Sequence, residues 1–224
     1  MVQVGNIHNT IADKAYQVLR NRIVQGELGP GQRLTLRPIA RSLGTSIAPI
    51  HEAFRKLSSE GLIELEPRWG ARVRRIDADM LRSQHVLRTA LECEAARQAA
   101  ERSSEAERSA LQKTATRLDE AIARSDPDNG VQELDSQFHL MIAKVSGSPS
   151  LVQALESNQL VRLLARGRRV TRGRKMPARQ HLKIVEAIAT GDPDQAERVM
   201  REHCVHSMQV QLDAFAAGNL VDGF

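Results

Sequence analysis

The sequence predicts a mostly α protein: an N-terminal winged helix-turn-helix followed by an all-α bundle of six helices. Three observations carry that expectation. Thr35 to Val73 reads as two helices joined by a glycine turn and followed by two short strand-like segments. From Asp77 onward, strand-like sequence almost disappears, and turn signals separate long helical patterns. The charge is also unevenly placed. Residues 1–76 carry 12 Lys+Arg against 6 Asp+Glu, whereas residues 77–224 carry 20 against 21. The positive excess therefore belongs to the first region, as contact with phosphates requires.

In chain order, residues 1–8 show no periodicity and read as a loose arm. Thr10 is placed to cap a helix whose apolar stripe is Ile11, Ala15, Val18, Leu19 and Ile23, ending near Glu27. Gly29-Pro30-Gly31 makes the next turn. A short helix follows over Leu36 to Leu43, with Thr35 as N-cap and Pro38 in the tolerated first turn. Gly44 supplies the break, and Thr45 or Ser46 caps a second helix to about Glu60, whose buried face is Ile50, Ala53, Phe54 and Leu57. Leu62–Leu65 and Ala71–Arg74 form a hairpin wing around Trp69 and Gly70. The domains expected are 8–76 and 77–217.

In the second region the spacing predicts helices over Ala78–Arg102, Ser104–Arg124, Asn129–Val145, Ser150–Gly167, Pro177–Thr190 and Pro193–Ala216, which imply a helical bundle. The run Arg166–Lys175 invites a nucleic-acid reading, but a solvated loop that balances acidic helices accounts for it more simply. No stretch of about 18 apolar residues occurs, so no membrane partner is expected. Cys93 and Cys204, in a chain without an export pattern, read as buried free thiols of a cytoplasmic protein.

Asp135 and His139 are spaced i,i+4 and so share one helix face. His181 and His203 lie on two further helices. Three imidazoles and a carboxylate suit a borderline divalent ion, zinc first, nickel or manganese otherwise. Spacing alone leaves the alternative that the histidines are surface or satisfied core residues.

The ordered residues Ile23–Gly31, Leu34, Ala40, Leu43-Gly44, Ser46, Pro49, Glu52-Ala53, Leu57, Glu60-Gly61-Leu62 and Gly70 resemble the DNA-binding domain of GntR-family transcription regulators. Arg88–Glu92, Asp135–His139, His181–Ile188 with Gly191-Asp192, Ala196 and His203 resemble the effector (FCD) domain of that family's FadR-type branch, in its VanR-like six-helix subgroup. The resemblance implies that Asp135, His139, His181 and His203 hold a metal and that a nearby arginine helps hold an effector carboxylate. Arg88 is the first candidate for that role, with an intrahelical pair to Glu92 as its alternative. Arg162 and His206 are further effector candidates; Arg162 shares a helical stripe with Leu151, Leu155 and Asn158, and His206 lies one turn beyond His203.

A winged helix presents the start of its recognition helix to base edges and other basic groups to phosphates. That places Ser46, Ile47, Ala48, His51 and Arg55 at the groove, with Arg37, Arg68, Trp69, Gly70 and Arg72 beside it. GntR regulators usually carry arginines at the positions of Ile47 and His51, so an altered operator preference is expected here. The function this implies is an effector-responsive repressor, a homodimer on a pseudo-palindromic DNA operator that senses a small organic acid. The rival is a metal-dependent enzyme, against which stand the absence of His-Glu-x-x-His and Gly-x-Ser-x-Gly motifs and the attached basic domain. A third reading gives the metal a purely structural or directly sensed role.

Overall fold

A computed structural model describes residues 10–24, 26–75, 77–124, 130–166 and 177–216, without side-chain detail at 24, 132, 158–166 and 214. The chain divides into two compact units between residues 76 and 77.

The first unit contains α1 (Ile11–Val24), β1 (Arg33–Leu34), α2 (Leu36–Ser42), α3 (Ile47–Ser59), β2 (Ile63–Glu66) and β3 (Gly70–Val73). Thr10 and Asp13 cap α1 reciprocally: the Asp13 amide donates to Thr10 Oγ1 at 3.0 Å, and the Thr10 amide donates to the Asp13 carboxylate at 3.3 Å. The helix is shorter than its sequence pattern suggests, since a turn through Gly26 at φ 77° ends it before Glu27. Its buried stripe also differs. Ala15, Tyr16, Leu19 and Ile23 face the core, whereas Ile11 and Val18 are exposed. Tyr16 takes the buried place because its hydroxyl can donate to Glu60 at 2.7 Å while its ring packs inside.

Gly44 turns α2 into α3 at φ 61°, and Ile50, Ala53, Phe54 and Leu57 of α3 are buried as their period requires. Thr35 and Ser46 occupy the N-cap positions in extended backbone, but neither side chain makes a capping hydrogen bond. The wing gains a strand that the sequence pattern did not disclose: the sheet order is β1-β3-β2, antiparallel throughout, with Leu34 opposite Ala71 and Leu65 opposite Ala71 from the other side. Gly70 is dictated by this arrangement. It has φ 110°, and a Cβ there would sit 2.2 Å from the Leu34 carbonyl oxygen.

The second unit contains, among the described residues, six helices: α4 (Ala78–Arg102), α5 (Glu105–Ala123), α6 (Val131–Val145), α7 (Pro149–Arg166), α8 (Gln180–Ala189) and α9 (Pro193–Ala216). Asp77 caps α4, and Ser104 with Glu107 forms a capping box on α5. Helix α8 begins three residues later than its sequence pattern suggests, after Arg179 at φ 59°. Along α4, Ala95, Ala96, Ala99 and Ala100 keep one side small, and against them collect Leu111 and Leu118 of α5, Phe138 and Ile142 of α6, Ile184 and Ile188 of α8 and Met200 of α9. No helix among the described residues is long and apolar enough to cross a membrane. Cys93 and Cys204 are buried free thiols; burial pushes the Cys93 thiol up to about 11.

Candidate functional site

The interior of the bundle is not uniformly apolar. Asp135 and His139 leave one face of α6, His181 enters from the start of α8, and His203 from the middle of α9. All four are buried, and one ligand atom from each lies within 4.8 Å of all the others. The Asp135 Oδ1 atom is 3.4 Å from His181 Nε2 and 3.8 Å from His139 Nε2. The rings are packed together, with His181 and His203 centroids 4.9 Å apart and His139 and His203 centroids 5.0 Å apart. Phe138 lies edge-on to both His139 and His181 at 5.3 Å and closes one side with apolar surface.

The far nitrogens of His181 and His203 are held from another helix or the helix start, and that of His139 faces a carboxylate. His181 Nδ1 lies 2.7 Å from Asp119 of α5, His203 Nδ1 lies 3.2 Å from Gln180 Oε1, and His139 Nδ1 lies 3.1 Å from Glu92 Oε2, somewhat out of line for a full hydrogen bond. Asp119 does more than orient a ring. Its oxygens also receive the backbone N–H groups of His181 at 3.4 Å and Leu182 at 3.1 Å. It therefore caps α8 from a different helix, where Arg179, the local N-cap, supplies no side-chain bond. One carboxylate thus fixes both the helix start and the imidazole carried on it.

Two near nitrogens, His181 Nε2 and His203 Nε2, are buried without a hydrogen-bond partner. Such groups cost free energy unless something satisfies them. Burial holds the pKa of His139 below the usual imidazole value, and it holds that of His203 well below, aided by the neighbouring His139 and His181. These rings therefore present lone pairs near neutral pH. For His181, burial works in the same direction, but the Asp119 and Asp135 carboxylates outweigh it and raise the pKa. A nitrogen–oxygen donor set of this kind, oriented by outer carboxylate and amide groups, fits a divalent ion.

Arg88 is 1% exposed and sits against this cluster. Its Nε donates to Glu92 Oε1 at 2.7 Å, its Nη1 donates to the Ser207 hydroxyl at 3.1 Å, and its Nη2 lies 3.1 Å from His139 Nε2. The intrahelical pair with Glu92 is therefore present, but as a buried pair rather than a surface one. Burial opposes the guanidinium charge, but Glu92, Cys204 and Asp135 together outweigh that effect, so the pKa of Arg88 is raised. Glu92 also receives the Cys204 thiol at 3.3 Å. His206 is half-buried with Nε2 unpartnered and stands outside the group of four. The Arg162 side chain and the basic run 167–175 lie outside the described residues.

On the first unit, Ile47, His51 and Arg55 repeat every fourth residue along the outer face of α3 and are exposed, as are Ser46 and Ala48 at its start and Arg37 on α2. Arg68, at φ 69°, and Trp69, 64% exposed, form the tip of the wing. Arg72 is differently employed. It donates to Glu66 at 2.8 Å and to the Gly31 carbonyl at 2.8 Å, tying the wing to the loop before β1. Gly70 likewise serves the wing's backbone. Arg33, not foreseen, places its guanidinium 5.7 Å from the Trp69 ring centroid and also reaches Glu66.

The family model for bacterial regulatory proteins of the gntR family matches residues 11–73, and the FCD domain model matches residues 85–206. The chain belongs to the GntR family. It is 30% identical over 197 residues to the HTH-type transcriptional repressor RspR of Escherichia coli K12, covering 86% of this chain and 85% of that protein. It is 28% identical over 203 residues to a probable D-xylose utilization operon transcriptional repressor of Paenarthrobacter nicotinovorans, covering 87% and 85%. The solved structure of E. coli McbR/YncC shares the fold, with a TM-score of 0.71 at 19% identity over 92% of this chain and 99% of that one. This GntR-family chain is a DNA-binding transcription regulator with a C-terminal FCD effector domain, not an enzyme.

The sequence singled out the four clustered residues, and Glu92 as a partner of Arg88, but missed Asp119 and Gln180. The only sequence signal for these two was that polar chemistry appeared where a bundle helix should be apolar.

Proposed function

We propose that this regulator is a homodimeric repressor that binds a pseudo-palindromic operator through its winged helices and senses a small carboxylate at a metal held by Asp135, His139, His181 and His203. The observation that carries the reading is the pair of buried, unpartnered Nε2 atoms of His181 and His203 beside the Asp135 carboxylate, while the Nδ1 atoms of the same two rings are held from outside. A bound zinc, nickel or manganese ion would supply fixed positive charge that draws a carboxylate into an otherwise closed interior. Arg88 would bind the same anion, since its Nη1 and Nη2 already point past Glu92 towards Ser207 and His139. His206 and Arg162 are the remaining candidates for effector contact.

On the DNA side, Ser46, Ile47, Ala48, His51 and Arg55 would face the major groove, with Arg37, Arg68 and Trp69 at the backbone. Ile47 offers an apolar surface suited to a thymine methyl, and His51 offers a single hydrogen bond in place of an arginine fork. The effector would act by shifting the population between operator-competent and incompetent dimers.

Thermal unfolding of the zinc-loaded protein against a panel of small carboxylic acids, repeated after chelation, tests this reading. An acid present at 100 times its dissociation constant should stabilise the protein by about 2.7 kcal/mol. That stabilisation should vanish when zinc is removed. Binding that survives chelation unchanged would separate the metal from the sensor and refute the proposal.

A further inference from the structure

Beyond the metal cluster and Arg88, α4 and α9 carry two matching polar stripes. On α4 they are His85, Arg88 and Glu92, and on α9 His203, Ser207 and Gln211, all buried at helical spacing. The helices pack along one another, and two cross-links join the stripes: Arg88 to Ser207 at 3.1 Å and His85 Nε2 to Gln211 Oε1 at 2.8 Å. The second cross-link lies one helical turn beyond the first, about 6 Å along α9.

Gln211 is 6% exposed, and its Nε2 has no hydrogen-bond partner. The oxygen of this amide answers His85, but its unmet nitrogen carries a desolvation cost that the cross-link itself does not require. Turning the amide over does not remove the deficit. His85 then faces the amide nitrogen, and the oxygen becomes the atom left over. A hydroxyl complements either orientation, since it both donates and accepts. A carboxylate complements only one, and a methyl group complements neither.

Resting on the proposed carboxylate sensor, we infer that Gln211 is a specificity residue for a second end of the effector. The effector is thereby a short linear hydroxy acid, its carboxylate at the Arg88 level and a hydroxyl about one helical turn away at Gln211, which corresponds to a chain of about four to six carbons. Unsubstituted fatty acids of the same length would bury a methyl group against the amide and bind more weakly.

The test compares 4-hydroxybutyrate, 5-hydroxypentanoate and 6-hydroxyhexanoate with butyrate, pentanoate and hexanoate. Binding is read by calorimetry on the full-length zinc-loaded protein. At least one hydroxy acid should bind roughly tenfold or more tightly than its unsubstituted partner. In Gln211→Leu that ratio should fall to near one while affinity for the unsubstituted acid is kept or improved. Melting of the variant without ligand checks that the fold is retained. Equal binding of hydroxy and unsubstituted acids by the wild type, or a ratio unchanged in Gln211→Leu, would overturn the assignment. Failure of all six acids to bind would instead refute the carboxylate sensor on which it rests.

Discussion

The two units of this chain both bury an apolar core, but only one of them also buries polar and charged residues. The winged helix packs Leu19, Ile50, Phe54, Leu57, Leu62 and Ile63 to complete burial, while its charged side chains lie on or near the surface. Every buried polar or charged residue among those described, from His85 to Gln211, belongs to the helical unit. An apolar core is the cheaper way to hold a fold, and buried ionic groups add little net stability for their desolvation cost. The difference is what the proposed function requires: a first unit that works through its outer face with an ordinary core behind it, and a second that works from buried polar groups inside.

The contrast can be broken most forcefully at Glu92. Glu92→Ala would leave Arg88 buried at 1% exposure without its Nε partner and release His139 and Cys204 from a shared acceptor. Loss of one partner from a buried pair costs about 3–5 kcal/mol. Urea unfolding followed by helical signal should show a loss of that order; a change below about 1 kcal/mol would mean that Arg88 is not dependent on Glu92.

A smaller effect sharpens the comparison without dismantling the unit. Asp119→Asn keeps the shape of the side chain but weakens its hold on His181 Nδ1 and on the α8 amides. Zinc affinity measured by competition with a chelating dye should fall by about 10–100-fold. Unchanged affinity would make Asp119 a helix cap alone.

What the sequence made legible follows the same division. The glycine turn at Gly44 and the period of Ile50, Ala53, Phe54 and Leu57 located α2 and α3 almost to the residue, because local chemistry decides them. Strand β1 escaped notice because two residues have no periodicity, and its existence is visible only through β3. Asp135 and His139 could be placed on one face from spacing, but their meeting with His181 and His203 depended on resemblance. Asp119 and Gln180 were invisible because the contacts that give them meaning are tertiary. The capping of α8 by a residue of α5 is the plainest case.

The smallest predicted effect lies on the exposed face of α3. Arg55→Ala should weaken binding to an operator fragment selected from a random pool by about 1–3 kcal/mol if Arg55 reads a base, or lower the salt slope by about one if it holds a phosphate. Zinc binding should not change in either case. A fall in zinc affinity would break the separation of roles between the two units.

Whether the four residues hold a metal is decided by calorimetric titration of the chelated protein with zinc, comparing wild type with His203→Ala. His203 Nε2 is buried and unpartnered, and replacing the ring removes one of the four clustered donors. The account predicts uptake of one ion per chain by the wild type and loss of affinity well beyond the 10–100-fold expected of an outer partner such as Asp119. Zinc binding of equal strength in the two proteins, or none in the wild type, would contradict it.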